Sequence, residues 1–138
     1  TGKLTVEIKN KQGEVIDIRE VKNLVVDDGL EYIASRMKDA TATAMSHMAI
    51  GTGSSAAAAS DTALGTEAAR VALSSTTVTA NAVAYVASFG AGTGTGAITE
   101  AGILNAASSG TLLCRTVFSV VNKGASDSMT ITWTVTIS

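Results

Sequence analysis

The last ten residues of the chain alternate strictly between apolar and hydroxyl side chains. Met129, Ile131, Trp133, Val135 and Ile137 occupy one set of alternate positions, and Thr or Ser fills the others. Successive side chains of a β-strand point to opposite faces of its sheet, so this pattern predicts a strand with one buried and one solvated face. A fold that contains such a strand needs a sheet and a core on one side of it.

Charge is concentrated in the first 40 residues. Of the 10 Lys and Arg and the 12 Asp and Glu, only seven lie beyond residue 40, and they are Asp61, Glu67, Arg70, Glu100, Arg115, Lys123 and Asp127. Ala, Gly, Ser, Thr and β-branched residues replace charge there. The larger part of the chain is therefore predicted to be a β-rich body with few groups that could carry out catalysis.

The charged N-terminal segment predicts a β-hairpin within residues 1–24. An alternating run over residues 3–9 is followed by turn residues at 10–13 and by a second extended run over 14–24. Leu4, Val6 and Ile8 would face inward, and the charged side chains would face solvent.

One short helix, at residues 28–38, is expected after the hairpin. Asp27 and Asp28 offer N-cap oxygens. An apolar stripe follows at helical spacing and is expected to pack on the sheet; it consists of Leu30, Ile33, Ala34 and Met37.

Residues 45–138 are predicted to form a β body whose strands are joined by Gly/Ser turns. The expected elements are strands at 45–50, 67–73 and 76–89, a hairpin of 97–105 with 111–121, and the final strand; a brief helix is the alternative for 67–73. The fold class is mainly β: an antiparallel β-sandwich or small barrel with an N-terminal β-hairpin and one short α-helix, in a single domain of residues 1–138.

Motifs for chemistry are scarce. The glycine-rich stretches at 51–60 and 90–96 fit a loose dinucleotide-binding pattern but lack the βαβ setting, so they are predicted to be loops. His47 has no cluster of further metal ligands, and Cys114 fits a small strand hydrophobe better than a nucleophile. We expect no catalytic residues, no metal site and no cofactor.

Glu100 and Arg115 stand out because both lie in otherwise uncharged strand segments. The predicted hairpin would bring them together if its turn is centred near Ala107. Opposite charges that face each other across strands are favourable. We predict a structural ion pair.

The composition also limits the partners. The net charge is −2 and no long basic cluster occurs, so nucleic acid is not expected to bind. No apolar run reaches the length of a membrane span, and the first residues lack the pattern of a signal peptide. Aromatic residues make up only 4% of the chain, which predicts a thin core and favours self-association.

Several short segments follow one another in a recognisable order. They are Asn23–Val26 with Gly29 and Leu30, Met48–Gly53, Ala59–Gly65 with Glu67 and Arg70, Ile98–Leu104, Leu112–Phe118 and Ile131–Ile137. In this order they resemble a family of small virion structural proteins of tailed bacteriophages. The resemblance spans residues 23–138 and implies no enzymatic activity and no cofactor.

The resemblance leaves more than one role open. The leading expectation is a capsid decoration (cement) protein, made in the host cytoplasm, that binds the major capsid protein on the virion surface as a homotrimer. The alternative is a tail, fibre or neck component that acts as an adaptor or receptor-binding module. A small enzyme, such as a peptidoglycan hydrolase, and a binding module outside any virion are weaker hypotheses. The capsid contact is predicted at Thr1, Gly2, Lys3, Leu4 and Thr5.

Overall fold

The computed structural model describes residues 1–38 and 42–138. These residues form nine strands and one helix. In chain order the elements are β1 (Gly2–Lys9), β2 (Val15–Val25), α1 (Asp27–Lys38), β3 (His47–Gly51), β4 (Glu67–Ala72), β5 (Ser75–Thr79), β6 (Ala82–Phe89), β7 (Gly96–Leu104), β8 (Leu112–Lys123) and β9 (Ser128–Thr136).

The nine strands of the described residues join one antiparallel sheet in the order β4-β3-β7-β8-β2-β1-β9-β6-β5. The sheet curls into a half-barrel, which confirms the predicted mainly β class with an N-terminal hairpin and one short helix. Its two halves meet at β2, where only Leu24 and Val25 pair with β8. Beyond that narrow junction the halves diverge and share one apolar core.

The C-terminal strand lies at the centre of this core, as its alternation predicts. Met129, Ile131, Trp133 and Val135 are at most 3% exposed. Ile137 lies beyond the end of β9 and is 47% exposed. The neighbouring β1 adds its three inward-facing apolar residues, which are at most 1% exposed. Strand periodicity therefore predicted the buried faces of both strands correctly.

The helix forms where expected, but the predicted packing stripe is wrong. Leu30 and Met37 are 56% and 82% exposed, and Ala34 is also exposed, whereas Ile33 is half-buried. The closest contact is at Gly29, which is buried against the backbone carbonyl of Leu113 in β8. Because the helix approaches the sheet through a glycine, its contact face is turned away from the apolar stripe.

The predicted long strand at 76–89 is also wrong, because the structure divides it into β5 and β6. The two strands pair in a hairpin in which Thr79 faces Ala82, so Ala80 and Asn81 form a two-residue turn. Ala80 adopts a φ of 52°, in the left-handed region that non-glycine residues seldom occupy. The turn contains neither glycine nor proline, so the sequence pattern did not indicate that the chain reverses direction there.

The remaining strand predictions are confirmed. β3 and β4 pair with each other close to the expected positions, and β7 and β8 form the expected hairpin. The segment between β3 and β4 is a loop of residues 52–66 without regular structure. This 52–66 loop lies against β7 and β8, where it contacts the buried side chains of Glu100 and Arg115.

Candidate functional site: the Glu100–Arg115 network

The carboxylate of Glu100 holds the 52–66 loop at both of its ends. Glu100 projects from β7 and is fully buried. Its Oε1 accepts hydrogen bonds from the backbone N–H of Gly53 at 2.9 Å and of Thr66 at 2.7 Å, and its Oε2 accepts one from Gly65 at 2.8 Å. One side chain thereby replaces the backbone partners that an irregular loop otherwise lacks.

Arg115 lies beside Glu100 and reaches further into the same loop. Its Nε and Nη2 lie 3.0 and 2.9 Å from Oε2 of Glu100. Nη1 donates to Oδ2 of Asp61 at 2.8 Å, and Nη2 donates to the carbonyl of Ser55 at 3.0 Å. The guanidinium is thus matched by two carboxylates and a carbonyl, which allows a charged side chain to be only 2% exposed.

The predicted pair is therefore present, although its register differs from the one assumed. Arg115 pairs with Gly102 across the β7–β8 ladder, and Glu100 pairs with Val117. The two charged residues are diagonal neighbours on one face, a separation that long side chains can span. Asp61, the third member of the network, was not predicted, because nothing in the sequence places the 52–66 loop over β7 and β8.

The electrostatics of this site favour permanently charged groups. Burial acts to raise the pKa of Glu100, but hydrogen bonds from Thr66, Gly65, Arg115 and Gly53 outweigh it and hold that pKa below its usual value. Burial opposes ionisation of Asp61 too, and the Ala58 N–H and Arg115 lower its pKa overall. Carboxylates held ionised in this way are suited to structure rather than to donating protons.

Two glycines of the Gly51-Thr52-Gly53 stretch allow the loop to approach Glu100. A Cβ atom at Gly53 would lie 2.5 Å from Oε1 of Glu100, and one at Gly51 would clash with the backbone carbonyl of Thr66. The glycines are needed for this close packing, which gives a structural reason for the stretch. Its predicted assignment as a loop rather than a strand–turn–helix phosphate site agrees with the elements observed.

Replacing Gly53 with alanine is expected to lower the free energy of unfolding by about 1–3 kcal/mol, because the added methyl group displaces the loop from Glu100. Gly90→Ala is the matched control. A Cβ there has no atom within 4 Å, so the change should stay within about 0.5 kcal/mol. Urea denaturation of both variants measures the difference, and equal stabilities would contradict this role of Gly53.

Other charged side chains beyond residue 40 also hold loops in place through hydrogen bonds. Lys123 is 1% exposed and donates to the carbonyls of Gly90 and Asp127, both at 2.8 Å. Arg70 pairs with Glu67; it also donates to two carbonyls of the β7–β8 turn, those of Ala106 and Ser109. The sparse charges beyond residue 40 thus fix loops to the sheet.

The two remaining candidate side chains, Cys114 and His47, lie in β8 and β3. The Cys114 thiol is fully buried, and burial raises its pKa. His47 lies in β3, with its Nδ1 2.8 Å from the hydroxyl of Ser46. Among residues 1–38 and 42–138, no group of three or more His, Cys, Asp and Glu side chains is arranged to hold a metal ion.

Four of the five residues predicted to contact a capsid lie in β1, between β2 and β9, and Thr1 directly precedes that strand. Leu4 is fully buried in the core, so it is not available to a partner and that part of the prediction is wrong. The other four line a shallow groove of about 620 Å³ on the outer face of the sheet. The groove is lined by Thr1, Gly2, Lys3, Thr5, Lys22, Thr132, Thr134 and Thr136.

Comparison of the chain with protein-family models, with curated proteins and with solved structures found no match. Within the part of the chain that the structure describes, no helix has the length and apolar character needed to cross a membrane.

Proposed function

We propose that the chain is a capsid decoration protein of a tailed bacteriophage, which binds the outer surface of the head and stabilises contacts between major capsid subunits. The observation that supports this role is the groove around Lys3 on the outer face of the sheet, since the paired strands β1 and β9 hold its lining residues in one conformation. A rigid surface loses little conformational freedom on binding, which favours a stable contact. The resemblance described above supplies the virion context.

The groove around Lys3 is the proposed capsid-binding face. It offers threonine hydroxyls and the ammonium groups of Lys3 and Lys22, which are suited to the carbonyls and carboxylates of a protein surface. We propose that the capsid-bound form is a homotrimer, because weak contacts presented by one oligomer reinforce each other through effective concentration. Neither nucleic acid nor a membrane is part of this proposal.

The copy number of the chain in purified virions tests this function. Quantitative mass spectrometry against the major capsid protein should give a number comparable to that protein, because the shell offers many equivalent sites. A handful of copies per particle would contradict decoration.

A pair of variants tests the binding face in the same experiment. Virions that carry Lys3→Glu should retain fewer copies, whereas Lys11→Glu, an equal charge change at the exposed hairpin turn, should leave the number unchanged. Equal loss, or no loss, in both variants would exclude the groove.

A tail, fibre or neck component is the second candidate. The 52–66 loop favours it, because most of its residues are exposed although both ends are fixed by Glu100. A fixed, exposed loop is suited to contact a receptor or an adjoining tail protein. The low copy number that contradicts decoration is the result expected for this candidate.

A further inference from the structure

One edge of β2 is open along most of its length. β1 pairs with β2 from Gly2 to Lys9, whereas β8 pairs only with Leu24 and Val25. Beyond this junction, β8 contacts β2 through side chains: Thr116 donates to the carbonyl of Lys22, and Arg19 donates to the carbonyl of Ser119. An open strand edge is a template for a further strand.

The part of β2 that is not paired with β8 carries unusual apolar exposure. Val15, Ile16 and Ile18 are 51%, 53% and 60% exposed. The same outer face is polar on the neighbouring strands, where Thr5 and Glu7 of β1 and the threonines of β9 lie. A solvated strand at an edge normally carries charge where β2 carries isoleucine, which indicates that these side chains are covered by a partner.

The middle of β2 can pair favourably with the same segment of a second, antiparallel copy. If two copies of the strand run antiparallel with Ile18 opposite Ile18, Asp17 of each copy faces Arg19 of the other. In the same register Ile16 of each copy faces Glu20 of the other, so the favourable pairs are Ile18 with Ile18 and Asp17 with Arg19. Cross-strand pairs of this kind stabilise a ladder, whereas like charges destabilise it.

The backbone has the orientation that this register requires. The carbonyl of Lys22 points to the open edge, where it accepts the Thr116 hydrogen bond. Backbone groups of alternate residues in a strand point to the same side, so the N–H and C=O groups of Glu20 and Ile18 point there as well. Ile18 therefore lies at a position where two strands exchange hydrogen bonds.

Asp17 and Arg19 also select the partner. Both point inward and lie 3.3 Å apart within one chain. Inward-pointing charges at an edge hinder pairing with unrelated strands, because they would meet apolar or like-charged neighbours. A second copy in this register presents the opposite charge at each position. The contact is thus favourable for this chain and unfavourable for most others.

We propose that two copies of this chain pair through β2 over residues 16–20, antiparallel and about a two-fold axis at Ile18. This contact is independent of the proposed capsid role. On its own it gives a dimer in solution, and combined with a three-fold capsid-bound form it gives a hexamer.

The mass of the purified full chain, measured by light scattering and native mass spectrometry, tests the contact. An even number of copies is expected, and a monomer or a trimer would overturn the proposal. Virion copy number does not depend on this result, so failure of one proposal is distinguishable from failure of the other.

Charge variants test the register itself. Asp17→Arg places two arginines opposite each other at both symmetric positions, and Arg19→Asp does the same with two aspartates. Each variant alone should lose the two-fold contact, while an equimolar mixture should restore it as a heterodimer, since both pairs of positions 17 and 19 are then of opposite charge. Circular dichroism of each variant verifies folding, and two folded variants that do not associate on mixing would overturn the register.

A pair of apolar substitutions distinguishes this contact from non-specific hydrophobic association. Ile18→Thr should lower the even-numbered fraction at least tenfold at fixed concentration. Val78→Thr removes a similarly exposed β-branched residue, 71% exposed on β5, which is an edge strand of the sheet. It should leave the mass unchanged, and equal effects of the two would contradict a contact at β2.

Discussion

Glu100→Gln is expected to lower the free energy of unfolding at pH 7 by about 3–5 kcal/mol, because it removes one partner of a buried ion pair. The neutral amide leaves Arg115 with Asp61 as its one carboxylate and presents an NH₂ group to backbone N–H donors. Urea denaturation of the wild-type chain and the variant measures the loss. Glu67→Gln, which affects a partly exposed ion pair with Arg70, should cost at most about 1 kcal/mol.

The same variant should change the response to acid. The pKa of Glu100 is lower in the folded chain than in the unfolded one, so its contribution is complete above the ordinary glutamate value of about 4.3. It is lost as the pH falls through the lowered value. The stability of the wild-type chain should therefore fall more steeply below about pH 5 than that of Glu100→Gln. If the stability of both proteins falls equally steeply below about pH 5, the lowered pKa of Glu100 is contradicted.

Gly29→Ala is expected to destabilise the chain by about 3 kcal/mol, at the upper end of overpacking costs. Helix propensity alone predicts the opposite sign, a gain of about 1 kcal/mol. The difference arises because the added Cβ would meet the carbonyl of Leu113, a backbone group that cannot move aside without displacing β8. Thermal and urea unfolding measure the effect.

A substitution elsewhere in the helix provides the control. Glu31→Ala, at an exposed position of α1, should stay within about 0.5 kcal/mol of the wild-type chain. A Gly29→Ala variant as stable as Glu31→Ala would contradict the close approach of α1 to β8.

The strands were predictable because their signal is local. Alternation over a few residues assigns the faces of β1 and β9 without knowledge of the rest of the fold. The helix start followed in the same way from Asp27 and Asp28. Its orientation did not, because periodicity finds an apolar stripe but contains no information about where a glycine permits closer packing. The helix therefore contacts β8 through Gly29 and not through Leu30 and Met37.

The candidate site was predictable only in part, for a similar reason. Glu100 and Arg115 are isolated charges in apolar strands, and such charges are expected to find each other. Asp61 and Gly53 belong to a loop whose path depends on tertiary contacts, and Gly51 ends β3 just before it. The spacing of Gly51 and Gly53 at the start of that loop was the available signal, and it becomes specific only when a buried carboxylate is known to lie beneath it.

The position of β1 has a consequence for how the chain folds. β1 pairs on one side with the adjacent β2, but on its other side with β9, more than 100 residues later in the sequence. During synthesis the hairpin can form early, while one edge of β1 waits for the last strand to emerge. Contacts between such distant segments slow folding and extend the time in which apolar strands are uncovered. The backbone amides of Lys3, Thr5 and Glu7, which point to β9, should thus become protected from hydrogen exchange late in refolding.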